Sequence, residues 1–106
     1  MDKAQGPIYQ GDPNTFEGAC QNIATEIAQL VISKHKDYGP SNILTFKEKG
    51  LVVRLSDKIN RLQNLIWENN DPSHEAVEDT FMDIAGYALI GLMLSEGTFT
   101  NKYDKQ

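Results

Sequence analysis

Apolar residues recur at helical spacing through most of the chain. Phe16, Cys20, Ile23, Ile27, Leu30 and Val31 follow three- and four-residue steps, which predicts a first helix from about Thr15 to Tyr38. Asn14 followed by Glu17 fits an N-cap with its reciprocal acid, and Gly39-Pro40 ends the helix because proline cannot continue it. Residues 41–50 read as a connector: Ser41 caps a short turn carrying Ile43, Leu44 and Phe46, and Lys49-Gly50 closes it. Val52, Leu55, Ile59, Leu62 and Ile66 then alternate three- and four-residue steps, the seam of a bundle helix over about 51–68. Asn69-Asn70-Asp71-Pro72-Ser73 breaks that helix, with Asp71 or Ser73 as the next cap, and a third runs over about 72–96 to a stop near Gly97. No strand alternation is convincing. The expected fold is all-α, a small antiparallel helical bundle of three main helices spanning 14–97, with an irregular arm over 1–13 and a polar tail over 98–106.

The third helix changes character partway. Val77, Phe81, Ile84, Ala88 and Gly91 share one face, while Tyr87, Leu89, Ile90, Met93 and Leu94 cover most of the rest. A helix that is apolar all round is buried all round. Two partner helices can hardly achieve that, so Tyr87, Leu89, Ile90, Met93 and Leu94 are expected to complete the core in a homo-oligomer, dimer or higher. Gly86 and Gly91 would let helices approach closely there. The plainer alternative is that the connector and the N-terminal arm fold over the exposed side.

Length and charge narrow the function. At 106 residues the chain is one domain near the lower end of sizes that bury an adequate core alone. A net charge of −5 argues against nucleic-acid binding by bulk attraction. Cys20 is the single cysteine, which leaves no internal disulfide and no cysteine-rich zinc site, and His35 and His74 are too isolated for one. With no signal-peptide pattern and no apolar run of membrane length, a cytoplasmic protein without membrane contact is expected.

Charge of both signs lies along the helices. Glu75, Asp79 and Asp83 recur every four residues, roughly 6 Å apart on neighbouring turns, where they repel unless a cation intervenes. The helix dipole accounts for acids in the first turns but not for Asp83, which enters the apolar stretch and needs a partner. Arg54, Lys58 and Arg61 form a basic stripe on the second helix, suited to phosphate oxygens or simply to a solvated face. Lys34, on the apolar stripe of the first helix, points inward near its end, and Tyr38 or Trp67 could stack on a base. Asp79 and Asp83 are the candidate Mg²⁺ ligands.

Three blocks carry a family resemblance: Lys36-Asp37-Tyr38-Gly39-Pro40-Ser41, Arg54-Leu55-Ser56-Asp57-Lys58-Ile59-Asn60-Arg61-Leu62, and Glu78-Asp79-Thr80-Phe81-Met82-Asp83-Ile84-Ala85-Gly86-Tyr87. Over about 34–96 the chain resembles the nucleotide-modification-associated domain family common in phage genomes. That family looks like an offshoot of the all-α NTP pyrophosphohydrolases, the MazG and dimeric dUTPase group, whose oligomeric bundles bind nucleotide phosphates through Mg²⁺. The Glu-Glu-x-x-Glu block of those hydrolases has no good counterpart here, and Thr80 stands where the Glu of Glu-x-x-Asp would fall if Asp83 matches its Asp.

The resemblance therefore implies nucleotide binding more firmly than hydrolysis. The expected phosphate and nucleotide contacts are Lys34, Lys36, Tyr38, Arg54, Lys58 and Arg61. Capture of a phosphorylated nucleotide, such as a signalling nucleotide sequestered in a host cytoplasm, is the favoured reading and does not require Mg²⁺. A Mg²⁺-dependent pyrophosphohydrolase using Asp79 and Asp83 is the alternative, and a helical scaffold or protein-interaction module a third, so enzymatic activity stays open.

Overall fold

The computed structural model describes residues 10–68 and 74–104. Ile8 and Tyr9 of the arm, and the 69–73 breaker with its expected caps at Asp71 and Ser73, lie outside the described residues. Among the described residues the chain is all-helical, with no strand.

Helix α1, Phe16–Tyr38, is capped by Thr15 rather than Asn14: the Thr15 hydroxyl accepts from the Gly18 N–H at 3.0 Å. The cause is one turn upstream, where the Asp12 carboxylate takes the Asn14 N–H at 2.9 Å and the Asp12 carbonyl accepts from the Thr15 hydroxyl at 3.0 Å. That turn holds Thr15 at the helix entrance. Asn22 is buried and clasps Gly11 twice, accepting from its N–H at 3.1 Å and donating to its carbonyl at 3.0 Å. At the other end Gly39 takes φ 74 and ψ 179, a region open to glycine alone, and its N–H closes on the His35 carbonyl at 2.8 Å.

The connector holds α2, Ser41–Leu44. Ser41 is its first residue and not its cap, because the chain turns helical already at Pro40. Helix α3, Lys47–Leu62, starts four residues before the expected point, so Lys49 and Gly50 sit in its first turn instead of closing the connector. Lys47 carries the reversal with φ 53. After Leu62 the helix widens into a π-helical segment, Gln63–Trp67, where the Glu68 N–H reaches back five residues to the Gln63 carbonyl at 3.0 Å. Helix α4, His74–Glu96, ends on Gly97 at φ 78, with the Thr98 N–H on the Met93 carbonyl and the Gly97 N–H on the Leu94 carbonyl, a Schellman closure.

Helices α3 and α4 run antiparallel: Lys58 meets Asp83, and Arg61 meets Thr80 farther along α3 and earlier on α4. Helix α1 crosses α4 at Gly86, where a Cβ would come within 3.3 Å of Val31 Cγ2. Glycine there permits the close approach of the two helices.

Two expectations about the core change. Of the expected seam, Leu55 and Leu62 are half-buried, while Val52, Ile59 and Ile66 are exposed and the inward places beside them fall to Leu51, Lys58 and, in the π-helical segment, Leu65. Both rows are largely apolar, and the Lys58–Asp83 ion pair lies on the inward one. Likewise, Tyr87, Ile90, Met93 and Leu94 pack within the chain, against the buried cluster of Ile43, Leu51 and Phe99. The connector and the segment after Gly97 cover them in part. Phe99, in the expected polar tail, is only 5% exposed. Leu89 is half-buried, and Gly86 and Gly91 face Val31 and Leu51 of the same chain.

Candidate functional site

The contact between α3 and α4 carries three polar rungs. Arg54 lies over the Tyr87 ring at 6.0 Å, Lys58 Nζ meets Asp83 Oδ2 at 2.9 Å, and Arg61 Nε donates to the Thr80 hydroxyl at 3.2 Å. Their spacing on α3, four then three, matches the returning spacing on α4, so helical geometry alone aligns all three once the central pair is set. Thr80 is 1% exposed and donates its own hydroxyl hydrogen to the Ala76 carbonyl at 2.7 Å, so both of its hydrogen-bonding roles are filled.

Asp83 is the junction of three helices. Its Oδ1 accepts from Lys34 Nζ of α1 at 3.3 Å while Oδ2 takes Lys58 of α3. Burial alone would push the carboxyl pKa up. The hydrogen bond from Lys58 and the charges of Lys34 and Lys58 outweigh that penalty, leaving Asp83 below the ordinary aspartate value. The two lysines differ: Lys58 is 29% exposed and at short range, whereas Lys34 is 53% exposed and at the longer distance.

Asp83 also opens onto a cleft of about 380 Å³ between α1, α4 and the α2 corner. Helix α1 contributes Leu30, Val31, Lys34, His35 and Tyr38; Gly39, Asn42 and Ile43 follow; Arg54 comes from α3; Met82, Asp83, Gly86, Tyr87 and Ile90 come from α4, and Phe99 closes the end. The walls are aliphatic and aromatic, with cations at Lys34 and Arg54. That is the usual composition of a small-molecule site, an apolar cavity with a few convergent polar groups. His35 stacks edge-on with Phe99 and Tyr103, and its Nδ1 is hydrogen-bonded to the Tyr103 hydroxyl. Its Nε2 is buried with no hydrogen-bond partner.

Of the expected nucleotide contacts, Lys34, Tyr38 and Arg54 line this cleft. Lys58 stands behind Asp83 and Arg61 is turned to Thr80, so those two serve the helix contact. Lys36 sits over the Tyr103 ring at 5.2 Å and does not line the cleft, and Trp67 is 82% exposed and does not line it either. His35, Asn42, Tyr87 and Phe99 belong to the cleft without having been singled out for it. The pair Phe99 and Tyr103, four residues apart in a segment otherwise polar, was the available signal that the segment after Gly97 packs on His35 of α1.

Asp79 and Asp83 fit a divalent cation poorly. Both Asp83 oxygens already accept from ammonium groups, and Asp79 and Glu75 lie exposed toward the start of α4. Among the described residues no three His, Cys, Asp or Glu side chains come together as a metal would require. None of the described helices is long and apolar enough to cross a membrane.

Fold and site together define an all-α domain built around a cationic, aromatic-lined cleft. The chain belongs to the family described as nucleotide modification associated domain 1, whose model matches residues 34–94. The matched segment holds most of the cleft, from Lys34 through Ile90, and omits Leu30, Val31 and Phe99. No curated protein and no solved structure matches the chain.

Proposed function

We propose that the protein captures a phosphorylated nucleotide in the cleft between α1 and α4 and holds it without cleaving it. The observation that carries this reading is the meeting of Lys34 and Arg54 with Tyr38, Tyr87 and Phe99 around one cavity of about 380 Å³. That volume lies within the range of small-molecule sites, on the order of 300–1,000 Å³. The two cations suit phosphate oxygens, and the aromatic and aliphatic walls suit a base. The family's description as nucleotide-associated points the same way. Hydrolysis is the less favoured reading, because Asp83 is engaged by two lysines and the acidic ligand set for Mg²⁺ is thin.

The proposal includes a homo-oligomer, joined either through the half-buried α4 residues Tyr87, Leu89, Ile90, Met93 and Leu94 or through the exposed apolar side of α3. Val52 and Ile59 of α3 and Ile66 of the π-helical segment are 65%, 49% and 54% exposed, which supports the second choice.

The test is calorimetric titration of a panel of nucleoside mono-, di- and triphosphates in EDTA. Binding by at least one member, lost in the double variant Lys34→Met and Arg54→Met with helical circular dichroism intact, is the expected result. Equal affinity in the double variant would refute the placement of the phosphates.

A further inference from the structure

We infer that Asp83 is a built-in competitor for the ligand's phosphate, occupying the Lys34 ammonium until a phosphate displaces it. The inference rests on the proposed capture of a phosphorylated nucleotide and concerns how that site is regulated. Lys34 and Asp83 line the same cleft, so a ligand phosphate that reaches Lys34 enters beside the carboxylate already holding it. One oxygen of Asp83 is committed firmly: Lys58 is close, at 2.9 Å, and partly shielded from water. The other is committed weakly, to a half-exposed Lys34 at 3.3 Å. Such an exposed pair is worth little, whereas a phosphate carries up to twice the charge and three strong acceptor oxygens.

The exchange therefore moves Lys34 and leaves Lys58 in place. It also dissolves an ion pair that ties α1 to α4, so ligand binding exchanges a contact between helices for contacts with the ligand. Asp83 keeps Lys58 as a partner throughout, so no carboxylate is stranded.

This predicts an effect opposite to that of a metal ligand. Asp83→Asn keeps the side chain's shape, cannot hold Lys34 by charge, and removes the carboxylate within ion-pair distance of both lysines. Binding of the panel nucleotides and of inorganic pyrophosphate, measured in EDTA, should tighten about two- to fivefold, the scale of one exposed ion pair. Adding Lys34→Met to Asp83→Asn should abolish the gain. Should Asp83→Asn fold poorly, the wild type supplies the second measurement, in which side-chain NMR signals of Lys34 shift on titration with ligand and those of Lys58 stay.

The outcomes separate this inference from the reading beneath it. Binding by wild type with equal or weaker binding by Asp83→Asn, or NMR shifts of Lys58 as large as those of Lys34, overturns the competitor role and leaves capture standing. No binding by wild type with binding by Asp83→Asn supports it strongly. No binding by either protein overturns both.

Discussion

Lys58 and Asp83 meet at 2.9 Å across the antiparallel contact of α3 and α4, on the same face of α3 as the buried Leu51. With Lys58 turned inward, Leu51, Leu55, Leu62 and Leu65 follow it toward the core while Val52, Ile59 and Ile66 turn out. Arg54 is carried to the rim of the cleft by the same rotation. One ion pair thus links the helix register to the composition of the candidate site.

The contribution of that pair depends on pH with a definite sign. The folded Asp83 titrates below its ordinary value, so its share of the stability is fully present above the unfolded value of about 3.9 and is lost as pH falls through the lower folded value. Urea unfolding of wild type and Asp83→Asn should differ above about pH 4 and converge in more acidic buffer. A stability difference that stays constant down to pH 2 would count against it.

Thr80→Val should cost about 1 kcal/mol in chemical denaturation, because the isosteric side chain fills the same buried space but loses the bonds to Arg61 and Ala76. Arg61 is exposed and recovers water, which keeps the loss modest. An unchanged unfolding midpoint would show that this rung contributes nothing.

Phe99→Ala should cost roughly 3–5 kcal/mol, the usual penalty for emptying a buried aromatic site. For a domain of this size that is a large share of the total stability. Thermal unfolding checks it, and a small shift would mean the segment after Gly97 is not part of the core.

Two surfaces are separated by paired substitutions. Ile90→Glu should unfold the chain, since it puts a charge into the cluster of Ile43, Leu51 and Phe99. Val52→Lys with Ile59→Lys should keep the helical circular dichroism and reduce the mass seen in sedimentation to that of one chain. Dissociation without unfolding by Ile90→Glu would return the interface to α4.

Much of this was legible in the residues. A carboxylate three turns into an increasingly apolar helix demanded a cation, and Asp83 has two. Lys34, continuing an apolar stripe, pointed inward and does reach α4. The three long helices followed from periodicity. The phase of α3 followed only at Leu55 and Leu62, because a hydrophobic pattern scores lysine as outward and Lys58 faces in, toward Asp83. The cap moved from Asn14 to Thr15 through a turn at Asp12 that local pattern alone left unweighted. The cleft was legible only in part: Lys34, Tyr38 and Arg54 carry functional-group chemistry in the sequence, whereas Phe99 and Tyr87 gain their roles when distant segments close around them.

Mg²⁺ should support no cleavage of the nucleotide here. Wild type incubated with its preferred nucleotide and Mg²⁺ should return the nucleotide intact by chromatography, with no pyrophosphate or phosphate released. Sustained release, abolished in Asp83→Asn, would make the protein a hydrolase.

Capture itself is tested most directly by equilibrium dialysis of the protein against a mixed cellular nucleotide extract in EDTA, with mass spectrometry of what the protein retains. The account predicts that one phosphorylated nucleotide is enriched, intact and in stoichiometric amount, and that the enrichment disappears in the Lys34→Met and Arg54→Met double variant. Retention of no nucleotide by wild type, or equal retention by the double variant, would contradict it.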